Sequence, residues 1–130
     1  VKRYVEEEDS PRVRRWLAAG VSATARLSAV EVASALARRC REGAFPAAER
    51  DRALAALEDD LSALRVVDLS MSVVAEARVL LVRHPLRAGD AIQLASALLL
   101  RRELAEPVTF AAYDDRLKSA ARVEGLTVVP

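Results

Sequence analysis

The side chains of this 130-residue sequence best placed to do chemistry are three carboxylates, Glu31, Asp90 and Asp114. Glu31 lies in LSAVEVASALARRCRE, Asp90 in LRAGDAIQLASALLL, and Asp114 in TFAAYDDRLKSAARVE, so each stands near a predicted helix start within an apolar stretch. Glu31 and Asp114 also closely follow strand candidates. In an open α/β sheet, sites form outside the carboxyl ends of the strands, and helix starts at that edge converge. Carboxylates gathered there repel one another and raise each other's pKa, which a divalent cation relieves. Hard oxygen ligands with no His or Cys in the pattern suit Mg²⁺ or Mn²⁺. Such an ion activates water and neutralises charge on a phosphodiester. Structural roles compete with this reading. Asp90 can simply cap its helix, and Ser28 with Glu31 has the S-x-x-E spacing of a capping box.

Other chemistries find less support. His84, the one histidine, precedes Pro85 and is expected to be a helix terminator at the surface. Cys40 lies among arginines with no triad partners and is expected to be inert; being single, it also excludes an internal disulfide or zinc cluster. No G-x-S-x-G string supplies a nucleophile elbow, and the four glycines are scattered singly, so there is no phosphate-cradling loop. Asp114-Asp115 with Lys118 only weakly suggests a phosphoacceptor pocket, because such a fold carries its acid pair near its start and its lysine much later.

These acids need a scaffold, and the composition supplies one. With 52% hydrophobic but only 4% aromatic residues, the core must be aliphatic, built from Ala, Leu and Val. The length suits one compact domain. A net charge of +1 provides no global field toward nucleic acid or membrane. No signal peptide or spanning segment is evident, so a cytoplasmic protein without membrane contact is expected. The Glu6-Glu7-Glu8-Asp9 run reads as solvated surface. Ser10-Pro11 reads as a helix start with Val13, Trp16 and Leu17 on one face and Gly20 as its stop. Residues 21–25 read as a strand and residues 27–42 as a helix with Val30, Val32, Ala33, Leu36 and Ala37 on its apolar side, Glu31 in its first turn, and Gly43 as its stop. Pro46 opens a helix to about residue 64, with Leu54, Leu57, Leu61 and Leu64 at helical spacing. Residues 65–69 form the next strand candidate. Ser70 caps a helix to residue 83, with Val73, Val74, Ala77, Leu80 and Leu81 inward. Asp90 then opens a helix apolar almost all round, hence buried, whose Ala91, Ala95 and Ala97 suit close approach to a sheet. Residues 107–112 and 126–129 are the last strands, flanking the short helix that begins at Asp114 and stops at Gly125. Strands alternating with helices predict an α/β fold with a parallel sheet.

In this order the segments resemble the PIN-domain ribonucleases, specifically the VapC-type toxins of bacterial toxin–antitoxin pairs. VKRYVEEEDS, LSAVEVASALARR, LRAGDAIQLASAL and TFAAYDDRLKSAARVEGLTVV carry the resemblance along the whole chain. It implies a single PIN-like domain over residues 1–130: a three-layer fold with a mostly parallel central sheet flanked by helices. It implies Glu31, Asp90 and Asp114 as catalytic, metal-binding acids for Mg²⁺ or Mn²⁺. Asp114 is the match because Leu117 follows three residues later, with Asp115 a secondary candidate. It further implies endonuclease action on tRNA or rRNA, a homodimer, and inhibition by a small cognate antitoxin, whose contact is expected on the apolar surface around Trp16 and Leu36. The family's first strand, with a further Asp in a Leu-Asp-Thr-Ser-like string, is expected upstream of Val1. Ala112 stands where the family often has Ser or Thr. The competing expectation, motivated by the absence of that first acid from the given sequence, is a catalytically incompetent PIN-like module that binds RNA or a partner.

Overall fold

The computed structural model describes residue 4, residues 10–18 and residues 20–129. The acidic run at residues 6–9, expected as solvated surface, lies outside the described residues. The chain is mixed α/β, with six helices and four short strands among the described residues, and it divides into two compact units, Val1–Val66 and Val67–Pro130.

The first unit holds α1 (Ser10–Ala18), β1 (Ala23–Ala25), α2 (Leu27–Arg41) and α3 (Ala47–Ala63), and its boundary falls within β2 (Arg65–Val67), which pairs with β1. Its core is the seam between α2 and α3, where Leu36, Phe45 and Ala53 are buried with Val32, Cys40 and Leu54 packed against them. Gly43 ends α2 as expected: its φ of +80° is a left-handed stop that a side chain would strain. Pro46 is the N-cap of α3, with extended backbone at ψ 160°.

The start of α2 differs from expectation. Helical geometry begins at Leu27 with Arg26 as cap and no side-chain cap bond, so Ser28 is the second helical residue. Its hydroxyl instead accepts from Thr24 Oγ1 at 2.7 Å. Glu31 is consequently the fifth helical residue, beyond the first turn, and a capping box is not what holds it there. Val30, expected on the apolar side, is largely exposed.

The second unit holds α4 (Met71–Arg83), α5 (Ala88–Leu104), β3 (Thr109–Ala111), α6 (Asp115–Val123) and β4 (Thr127–Val129). Ser70 caps α4 as expected, its Oγ accepting from the Val73 N–H at 3.2 Å. α5 packs chiefly on α4, helix against helix rather than helix against sheet. The buried Ala77, Ala91 and Ala95 keep the side chains between them short. Val73, Leu80, Leu94 and Leu98 fill the remaining space, as the apolar composition of α5 demands. Ser96 lies in this core at 3% exposure and satisfies its hydroxyl on the Ile92 carbonyl at 2.8 Å.

β3 and β4 pair in parallel, with Thr109 opposite Thr127, Phe110 opposite Val128 and Ala111 opposite Val129. A parallel pair needs a crossover, and α6 supplies it, burying Leu117, Ala120 and Ala121 at i, i+3, i+4 spacing. The described strands thus form two two-stranded sheets, β1–β2 and β3–β4. On α4, Val74 and Leu81, expected inward, lie toward the exposed side with Met71 and Val82. Among the described residues no helix is long and apolar enough to cross a membrane.

Candidate active site

Asp90 is the third residue of α5, in its first turn, and half-buried. The cap position belongs to Arg87, whose backbone is extended and whose side chain makes no cap bond. Asp90 is therefore not the cap residue. The positive end of the helix macrodipole favours its negative charge. No described residue hydrogen-bonds to its carboxylate or pairs with it.

Asp114 is the N-cap of α6, three residues after β3 ends. Its backbone is extended and its Oδ1 accepts from the Leu117 N–H at 2.9 Å. This bond uses one carboxylate oxygen, and Oδ2 keeps its lone pairs. The Leu117 that marked Asp114 in the sequence is thus the residue whose amide the acid caps. Asp115, the secondary candidate, is exposed, with Oδ1 2.7 Å from Lys118 Nζ. The hydrogen bond and charge of Lys118 hold its carboxyl below the usual aspartate range. That pairing satisfies Asp115 with a cation and sets its role apart from Asp114's.

Glu31 is exposed on α2 and belongs to the first unit, whereas Asp90 and Asp114 belong to the second. Among the described residues no group of three or more His, Cys, Asp or Glu side chains is arranged to hold a metal ion. Mg²⁺ usually takes only one or two carboxylates, with water and substrate phosphate completing its shell. The half-buried carboxylate of Asp90, without a partner among the described residues, and the second oxygen of Asp114 fit that demand in donor chemistry.

His84 departs from expectation. It ends α4 as predicted, its N–H bonding to the Leu80 carbonyl at 2.8 Å, but its side chain is only 11% exposed. Nε2 lies 2.7 Å from Glu124 Oε1, and Glu124 is itself 16% exposed. No local signal could reveal this pairing, because the partner is forty residues away. His84 and Pro85 line a shallow pocket of about 290 Å³ together with Asp115, Arg116, Ser119 and Ala120 of α6. A second pocket, of about 320 Å³ in the first unit, is lined by Tyr4, Glu49, Arg52, Ala53 and Ala56 and includes none of the expected acids.

The expected antitoxin surface needs correction at one residue. Leu36 is fully buried in the α2–α3 seam and cannot form part of an apolar exterior. Trp16 is half-buried, with the Arg12 guanidinium 5.8 Å from its ring centroid.

Residues 3–123 match the PIN domain. The chain is 35% identical over 121 residues to Ribonuclease VapC45 of Mycobacterium tuberculosis (strain CDC 1551 / Oshkosh), covering 88% of this chain and 78% of the relative. Identity and coverage are the same for Ribonuclease VapC49 of M. tuberculosis (strain ATCC 25618 / H37Rv). With a match that takes in both α2 and the β3–α6 turn, the chain belongs to the PIN-domain family and is homologous to mycobacterial VapC ribonucleases.

Proposed function

We propose that this protein is a metal-dependent endoribonuclease, the toxin of a toxin–antitoxin pair, that hydrolyses phosphodiester bonds in tRNA or rRNA. The observation that carries the reading is Asp90: a half-buried carboxylate with no partner among the described residues, in the first turn of the most buried of their helices, within a chain homologous to VapC ribonucleases. Its oxygens are not sealed from solvent, so an ion can reach them. A carboxylate kept open toward an ion is the functional explanation.

In this reading Glu31, Asp90 and Asp114 hold Mg²⁺ or Mn²⁺, directly or through water. When bound, the ion supplies an activated water and neutralises charge building on the phosphodiester. The chain's own contribution is positional. The α5 macrodipole favours ionised Asp90, and the cap bond from Leu117 fixes Asp114 in one orientation. Lys118 holds Asp115 ionised outside that ligand set. The resemblance to VapC-type toxins also supports a single PIN-like domain, a homodimer and a small cognate antitoxin.

The test is cleavage of total tRNA and of rRNA by protein expressed from its natural start codon, in EDTA, Mg²⁺ and Mn²⁺. Cleavage is expected only with metal and is expected to be lost in Asp90→Asn. Metal-independent cleavage, or an Asp90→Asn variant as active as wild type, would overturn the reading.

A further inference from the structure

The pocket beside α6 holds chemistry that the three-acid reading does not use. Arg116 and Ser119 are exposed and lie three residues apart, the spacing that makes helical side chains neighbours. No described residue pairs with the Arg116 guanidinium. His84 forms another part of the wall. Its Nε2 lies 2.7 Å from Glu124 Oε1; the carboxylate accepts, so Nε2 donates and the ring is fixed. Asp115 also lines the pocket, and its negative charge is opposed by Lys118 Nζ at 2.7 Å. The pocket therefore offers a planar guanidinium and a hydroxyl beside a fixed imidazole, with its one acid paired to Lys118. At about 290 Å³ it lies at the small end of ligand sites and has room for a phosphate group of a strand.

We infer that Arg116 and Ser119 form a phosphodiester-binding subsite for the RNA strand, with His84 as part of its wall. Arg116 supplies bidentate recognition of two phosphate oxygens, and Ser119 donates a further hydrogen bond. Arg116 and Ser119 lie on the helix that Asp114 caps, which places the subsite on the same element as one of the proposed acids. The inference rests on the ribonuclease reading for its substrate class.

The test is binding of short fluorescein-labelled oligouridine with a free 5′-hydroxyl, measured by anisotropy across a salt series in EDTA, where cleavage is silent. Each phosphate neutralised on a single strand contributes about 0.7 to the slope of log K against log salt. Arg116→Ala is expected to weaken binding and reduce the slope by about that amount, Ser119→Ala to weaken binding with the slope kept, and Arg116→Lys to retain the slope while losing affinity. Arg122→Ala, an exposed arginine on the same helix, is expected to leave the slope unchanged.

An unchanged slope in Arg116→Ala overturns the subsite. So does an equal drop in Arg122→Ala, which means a diffuse field, or equally tight, Arg116-dependent binding of uridine monophosphate, which means a terminal-phosphate site. Metal-dependent cleavage of total tRNA separates this from the parent reading. Cleavage without Arg116 dependence removes the subsite alone. Arg116 dependence without cleavage supports the subsite and removes the nuclease.

Discussion

His84 Nε2 and Glu124 Oε1 lie 2.7 Å apart, joining the end of α4 to the C-cap of α6 across forty residues of sequence. Both side chains are largely buried, so the contact is shielded from water, whereas Arg83, 3.7 Å from the other Glu124 oxygen, is 59% exposed. Removing the acceptor strands a buried polar ring at a cost of about 1–3 kcal/mol. Glu124→Ala is therefore expected to lower the stability measured by urea denaturation by that amount. Arg83→Ala should cost less than about 1 kcal/mol, as an exposed ion pair does. Equal effects of the two substitutions would show that burial does not set the strength of this contact.

Asp114 has two roles that different substitutions separate. Asn retains an oxygen acceptor for the Leu117 amide but lacks the charge a metal ligand needs. Asp114→Asn is expected to leave stability in EDTA within about 0.5 kcal/mol of wild type, because Asn and Asp are comparable N-caps, and to abolish metal-dependent RNA cleavage. Asp114→Ala removes the cap as well and should cost about 1 kcal/mol. Denaturation in EDTA and a cleavage assay, run on both variants, read the roles independently.

Asp90 gives the corresponding test for metal linkage. An ion that binds only the folded state raises its stability with concentration, so Mg²⁺ or Mn²⁺ should increase the melting temperature of the wild type. Asp90→Asn should abolish that rise. In EDTA the same substitution should cost less than about 1 kcal/mol, the worth of a charge at a helix N-terminus. A variant that keeps the metal-induced shift would exclude Asp90 as a ligand.

Asp115 sets a sign for the acid limb of stability. Lys118 holds its carboxyl below the usual aspartate range in the folded chain, through a hydrogen bond and through charge. Such a group contributes stability above the unfolded-chain aspartate pKa and loses it as the pH falls through the lower, folded value. The wild type's advantage over Lys118→Met should therefore be present near neutrality and vanish in strong acid. NMR titration of the Asp115 carboxyl should show its midpoint rising in that variant.

Ala105 closes α5 with φ 52° and ψ 29°, the one non-glycine residue with positive φ among those described. The left-handed conformation costs an L-residue roughly 1–2 kcal/mol, partly offset by the greater chain entropy that glycine loses on folding. Ala105→Gly is expected to stabilise the protein by about 0.5–1 kcal/mol, measurable as a higher denaturation midpoint with an unchanged m-value.

Local chemistry made much of the scaffold legible in the sequence. Ser70 caps α4, Pro46 precedes α3, and Gly43 and Gly125 stop their helices at φ +80°. Each depends on groups within a few residues of itself. The apolar run after Asp90 required a buried helix, and the strand–helix–strand order at the C-terminal end required a parallel pair joined by α6. Asp90, Asp114 and Glu31 were also recognisable as acids near helix starts. Tertiary structure decided what these residues face. It packed α5 on α4 instead of a sheet and buried Leu36 while leaving Val30 exposed. It also gave His84 a partner forty residues away. Periodicity specifies that a helix has an apolar side, but the width of that side and the partner of each polar atom depend on elements distant in sequence. Those contacts form only when the chain packs.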